Sequence, residues 1–260
     1  MSRDELRALF HTQLRYGAQS YGYLREETPH VVRHVSTTRE RGYILWSNLD
    51  ENNASRVIKD ELEYFSRLNQ PFEWKLYSYD KPDNLMDILK QEGFTIVEPE
   101  ALMVIELDSE RPLLYQPSHA RVTEISTQKG IQDIIDLENA IWNKRHAGLG
   151  ERLIRDKQRD PNALYLYGIY EDEQMVSAAW MYIEPHSSFG SLWGGSTLPG
   201  YRGKGHYTSL LEVRAKKAVE TGRSFLTVDA SSMSIPILHK FGFYCLALSY
   251  GCQSPSRPIY

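Results

Sequence analysis

The segment Tyr201-Arg202-Gly203-Lys204-Gly205-His206-Tyr207 has the residue types and spacing of a phosphate cradle. A strand-like apolar run at 189–197 precedes it, and Tyr207, Leu210, Leu211, Ala215 and Ala218 follow at helical spacing. Strand, glycine-bearing turn and helix start together put a row of backbone N–H groups where an anion can reach them. Those donors have no partners inside the helix, and the aligned peptide dipoles add partial positive charge at the same end. Gly203 and Gly205 let the main chain come close to a ligand, while Arg202 and Lys204 bring charge for a diphosphate. A surface turn with two solvated cations has the same composition, so the neighbouring elements must decide.

Those elements follow a definite order. A helix over 206–221 stops at Gly222, and a buried strand is expected over 224–228. A polar bend at 229–234, a short helix over 235–241 ending at Gly242, and a strand over 243–250 complete the run. In this order, and in Arg202, Gly205 and the Gly242-Phe243 pair, the last 140 or so residues resemble the GNAT superfamily of acyl-CoA-dependent N-acyltransferases. The resemblance implies an α/β fold, a mixed sheet flanked by helices, with acetyl-CoA as co-substrate and a small amine or peptide as acceptor. It also implies that Gly195, Ser196, Thr197, Arg202, Gly203, Lys204, Gly205, His206, Tyr207 and Ser231 bind the coenzyme. Two positions depart from the family. Tyr207 stands where members carry glycine or alanine, and Leu238 stands where many carry a proton-donating tyrosine.

Acyl transfer to an amine needs a proton acceptor, a polarised carbonyl and a proton for the departing thiolate. Gly194-Gly195 inside a strand pattern predicts a bulge or the close approach of a ligand. The run 189–195 contains no carboxylate, so the family's strand glutamate is missing. Glu184 and His186 in the preceding turn, and Asp229 at a strand's carboxyl end, are the candidate bases; a water relay is the alternative. Ser234, one helical turn before Leu238, is the candidate acid, with His239 beside that position. Capping is the structural use of Asp229 and of the serines. Aromatic alternation at 165–170 and 178–183 predicts a hairpin turning at 171–174. Helices over 131–142 and 151–157 would wall the acceptor site, where Trp142, Arg145 and Trp193 are the substrate-binding candidates, with Asn143 and His146 close by.

An internal repeat sets the wider organisation. Residues 80–94 align without gaps on 229–243, matching at an aspartate, an Ile-Leu pair and a Gly-Phe pair. Strands at 72–77 and 224–228 precede the two copies, and helices at 54–68 and 206–221 precede those strands. Two tandem GNAT-like units are therefore expected: 1–112, degenerate and lacking the coenzyme loop, and 113–260, catalytic, joined through 108–120. At the loop position the first unit has Leu49-Asp50-Glu51-Asn52-Asn53, whose two carboxylates would repel a diphosphate.

The 260-residue chain is 41% hydrophobic and 25% charged, with a net charge of −4, an ordinary globular balance without a basic footprint for nucleic acid. No apolar run reaches membrane-spanning length, and the charged N-terminal segment reads as a helix rather than a signal peptide. Cys245 and Cys252 have neither metal-site spacing nor a disulfide framework, which points to free thiols in the cytoplasm and to no bound metal. Acetyl-CoA and a small amine are the expected partners, without nucleic acid or membrane, and a homodimer is the candidate assembly. The competing class is a non-catalytic acyl-CoA sensor or scaffold, which needs neither the strand glutamate nor the helix tyrosine.

Overall fold

A computed structural model describes all residues except 39, 109, 116–119, 144–146 and 256–260. Two compact units form. One holds residues 1–103, 229–239 and 244–260, the other 104–228 and 240–243. Compactness thus divides the chain differently from the collinear boundary at 112/113, which rests on the sequence repeat.

Up to the first crossing, the chain forms α1 (Arg3–Phe10), a π-helical turn (His11–Tyr16), β1 (Tyr23–Glu27), β2 (Val31–Ser36) and β3 (Gly42–Ser47). There follow α2 (Ala54–Arg67), β4 (Phe72–Tyr77), α3 (Leu85–Gln91), β5 (Thr95–Ile96) and β6 (Glu100–Glu106), within which the unit boundary falls. The second stretch comprises α4 (Pro112–Tyr115), β7 (Thr123–Ile125), α5 (Gln128–Trp142), α6 (Ala147–Arg159), β8 (Leu164–Glu171) and β9 (Gln174–Ile183). It continues with β10 (Phe189–Thr197), α7 (His206–Glu220), β11 (Phe225–Ala230), α8 (Ile235–Lys240) and β12 (Tyr244–Gln253). The expected connection at 108–120 includes the short helix α4, started by Pro112, whose missing N–H costs nothing at a first helical position.

Each unit is a mixed sheet flanked by helices. The first unit orders its strands β1-β2-β3-β4-β12, with β5 also on β12, and pairs β3 with β4 in parallel. The second orders them β11-β10-β9-β8-β7, with the parallel pair at β10 and β11. Both units therefore carry a strand, a helix of 14 or 15 residues and a parallel strand, the architectural form of the repeat.

Packing follows the patterns in the sequence. In the first unit, Ile58 and Phe65 of α2 are buried with Phe72 and Trp74 of β4, and the Phe65 and Phe72 rings stack at 4.3 Å. In the second, Ile131, Ile134 and Ile135 of α5 and Leu153 of α6 cover Leu164, Leu166, Ala178 and Trp180. Burying one such side chain stabilises by about 2 kcal/mol. The hairpin of β8 and β9 turns through Asp172 and Glu173, both at positive φ. Helix α7 buries Leu210, Leu211, Ala215 and Ala218, as the spacing predicts, but also Glu212 and Arg214.

Candidate functional site

The site of the second unit is built where β10 runs into α7. Gly205 is the N-cap of α7 at φ 83°, a left-handed conformation that suits glycine, and no side chain caps the helix. Gly203 has φ 77°, and a Cβ placed on it meets nothing within 4 Å, so the approach to these amides is open. Arg202 and Lys204 are exposed. Arg202 Nε donates to the Thr197 carbonyl at 3.2 Å, which pins the loop to the strand end. The surroundings fit a diphosphate, with one opposing group. The Glu171 carboxylate lies 3.3 Å from Lys204 Nζ and 2.9 Å from His206 Nε2, the latter without hydrogen-bond alignment.

Strand β10 departs from regular pairing at its second half. Its register with β9 shifts between Gly194 and Ser196, and Gly194 and Gly195 have φ of 70° and 90°. Side chains take over the carbonyls there. Arg214 Nη1 donates to the carbonyls of Trp180 and Trp193 at 3.3 Å each, and Ser177 Oγ donates to that of Ser196 at 2.9 Å. Ser177 Oγ also meets Thr197 Oγ1 at 2.7 Å. Neither Ser177 nor Arg214 stood out in the sequence, because a buried serine or arginine leaves no mark in hydrophobic periodicity. Burial lowers the Arg214 guanidinium to about 10, and it stays charged at neutral pH.

The two strand glycines also have close aromatic neighbours. A Cβ on Gly194 would stand 2.5 Å from the Trp180 ring, and one on Gly195 would stand 2.9 Å from the Tyr207 ring. The bulky residue at the family's glycine or alanine position is thus accommodated by a glycine on the facing strand. Burial raises the Tyr207 hydroxyl above its ordinary range, against the pull of Arg214.

Of the residues expected to meet the acceptor, Trp142 ends α5 and Trp193 lies on β10. Trp193 is 51% exposed and Trp142 57% exposed, and Trp142 Nε1 donates to Glu138 at 3.0 Å. Arg145 and His146 lie outside the described residues. A dyad absent from the sequence reading occurs here: Tyr182 Oη donates to Asp156 Oδ2 at 2.8 Å, and Arg155 Nε to Oδ1 at 3.1 Å. Asp156 is 4% exposed, and the Tyr182 ring packs edge-on against Trp193 at 6.4 Å. Burial, outweighing Tyr182 and the arginines, raises the Asp156 carboxyl above the ordinary aspartate range. An aspartate within a charged helical stretch gives no sequence signal for this.

The other expected residues sit as follows. Glu184 is half-buried in the turn before β10, followed by exposed Pro185 and His186. In the first unit, Asp229 accepts from Ser249 Oγ at 2.8 Å and pairs with Lys75 Nζ at 3.0 Å. Ser234 Oγ donates to the Ser231 carbonyl at 3.1 Å, the two hydroxyls are 3.4 Å apart, and Leu238 is fully buried. His239 is exposed. Both cysteines are free thiols, and burial pushes that of Cys252 up to about 12. Among the described residues no group of side chains could hold a metal ion, and no helix is long and apolar enough to cross a membrane.

Residues 131–243 match the model of the acetyltransferase (GNAT) family. No curated protein matches the sequence. Among solved structures, a GCN5-related N-acetyltransferase from Kribbella flavida is similar over 96% of this chain and 95% of its own, with TM-score 0.69 and 14% identity. A tandem GNAT protein from the clavulanic acid biosynthesis pathway is similar over 93% of this chain and 86% of its own, with TM-score 0.62 and 10% identity. A GCN5-related N-acetyltransferase from Sphaerobacter thermophilus matches over 89% and 78%, with TM-score 0.58 and 15% identity. The β10–α7 loop lies inside the segment that matches the GNAT family model, and the fold of the chain is similar to that of GNAT structures, a tandem GNAT protein among them.

Proposed function

We propose that the protein is an acetyl-CoA-dependent N-acetyltransferase, acting on a primary amine of a small molecule or peptide by direct attack in a ternary complex. The uncapped start of α7, with Gly203 and Gly205 at positive φ and open space around Gly203, carries this reading. In it, the amides of Gly203 to Tyr207 and the Arg202 and Lys204 side chains hold the diphosphate. The bulged stretch Gly195, Ser196 and Thr197 holds the pantetheine arm. Bound there, acetyl-CoA supplies an acetyl group activated as a thioester. Arg214, Ser177 and Arg202 keep the bulge in shape by occupying its carbonyls. Ser234 is bonded to the Ser231 carbonyl, and Asp229, with both oxygens engaged, serves better as an anchor than as a base. Two free thiols accord with a cytoplasmic setting.

Thiol release from acetyl-CoA, followed across a panel of primary amines, tests the proposal. Amine-dependent release with an acetylated product supports it. Tight coenzyme binding without turnover on any amine would favour the sensor, a reading to which buried Leu238 at the acid position and the carboxylate-free β10 lend weight.

A further inference from the structure

We infer that Tyr182, backed by Asp156, removes the proton of the acceptor ammonium, and that the exposed face of Trp193 receives that cation. The inference rests on the acetyltransferase reading and supplies the base that β10 lacks. Cross-strand pairing puts Ser191 opposite Tyr182 and Trp193 opposite Trp180, so Tyr182 and Trp193 share the sheet face covered by α5 and α6. Trp193 directly precedes the Gly194 bulge, and its ring is half-exposed. An indole face attracts an ammonium, most strongly where water is partly excluded. The Tyr182 hydroxyl directs its proton at Asp156 Oδ2, 2.8 Å away, which leaves the phenol oxygen lone pairs to accept another. Asp156 cannot meet the amine itself, since it is 4% exposed and held by Tyr182 and Arg155. It acts through Tyr182, with Arg152 and Arg155 the charged groups beside it.

The ammonium proton passes to the Tyr182 oxygen while the Tyr182 hydroxyl proton passes to Asp156. The freed nitrogen lone pair forms the N–C bond, and the C–S bond breaks with its electron pair going to sulfur. The second nitrogen proton converts that thiolate to a thiol, and Asp156 returns its proton to solvent through Tyr182.

The test measures kcat/KM against pH for the wild type, Tyr182→Phe and Asp156→Asn, using the fastest acceptor among n-butylamine, tyramine, spermidine and an alanyl peptide. A carboxyl carbon NMR titration of Asp156 in the unloaded wild type and in Tyr182→Phe accompanies it. At neutral pH both variants should lose about 100-fold in kcat/KM, with KM for acetyl-CoA unchanged. The loss should shrink by ~10-fold per pH unit toward the amine's own pKa, because free amine no longer needs the relay. In the unloaded protein the Asp156 resonance should titrate above the ordinary aspartate range, and higher still in Tyr182→Phe. A uniform loss with an unchanged pH profile, or an Asp156 titration indifferent to Tyr182, overturns the relay and leaves the acetyltransferase standing. A wild type that acetylates none of the four amines overturns both.

Discussion

Two helices of nearly equal length follow a strand and lead into a parallel one, yet their N-termini are opposite in kind. At α2 the chain closes on itself. Asp50 Oδ1 accepts from the amides of Asn52 and Asn53 at 2.8 and 2.9 Å, Asn53 Oδ1 accepts from the Asp50 amide at 3.0 Å, and the Asp50 carbonyl accepts from the Ala54 amide at 3.1 Å. The loop amides of Asn52 and Asn53 are thus spent on a carboxylate of the chain's own, although α2 itself has no side-chain cap. At α7 no side chain does this, and the N-cap is a glycine at φ 83°. A repeated architecture thus holds one loop filled by its own carboxylate and one left open, the difference resting on a handful of loop residues.

Closing the open loop should have the largest effect. Gly205→Glu puts a carboxylate among the α7 amides, and one like-charge contact near 4 Å costs about 4 kcal/mol at the effective dielectric of a protein surface. Coenzyme A affinity by calorimetry should fall by about 100-fold or more, since each factor of ten is ~1.4 kcal/mol. The left-handed backbone at this position adds about 1 kcal/mol of strain, too little to unfold a typical domain. Unchanged affinity in a folded variant would place the coenzyme elsewhere.

Emptying the filled loop should cost stability and yield no ligand. Asp50→Ala removes the acceptor for two amides, a loss of about 1 kcal/mol by the measure of helix caps, read from denaturant unfolding. Coenzyme A binding stoichiometry should stay the same, because Glu51 remains and no glycine brings the main chain close. A second coenzyme bound per chain in this variant would show that Asp50 alone separates the two sites.

How much of this could be read from residues varies by kind of interaction. Turn chemistry and periodicity exposed the glycine loop before α7, the β8–β9 hairpin and the strand 189–197, because glycine, alternation and helical spacing each constrain the backbone locally. The supports of the bulge were not legible. Arg214 lies on α7 and Ser177 on β9, and only the folded chain brings them to the carbonyls of Trp193 and Ser196. Gly194-Gly195 was legible as an irregularity but not in its packing, where the rings of Trp180 and Tyr207 lie against it. Asp156 was hidden for the same reason: its meaning comes from Tyr182, 26 residues away.

A carboxylate also approaches the loop before α7. Glu171 at the end of β8 sits 3.3 Å from Lys204 and 2.9 Å from His206, a partial echo of what Asp50 does at α2. The pair is half-exposed, so solvent screens it, and a contact of this type contributes about 0.5 kcal/mol. Glu171→Gln keeps the shape while removing both the repulsion toward a diphosphate and the competitor for Lys204. Coenzyme A should then bind about 2-fold tighter at low ionic strength, with the gain vanishing in high salt as screening shortens the reach of the charge. Pantetheine, which lacks the diphosphate, should bind both proteins equally. A gain for pantetheine as well would mean that Glu171 shapes the loop instead of opposing the phosphate charge. A loss for coenzyme A would mean that it holds Lys204 in the binding position.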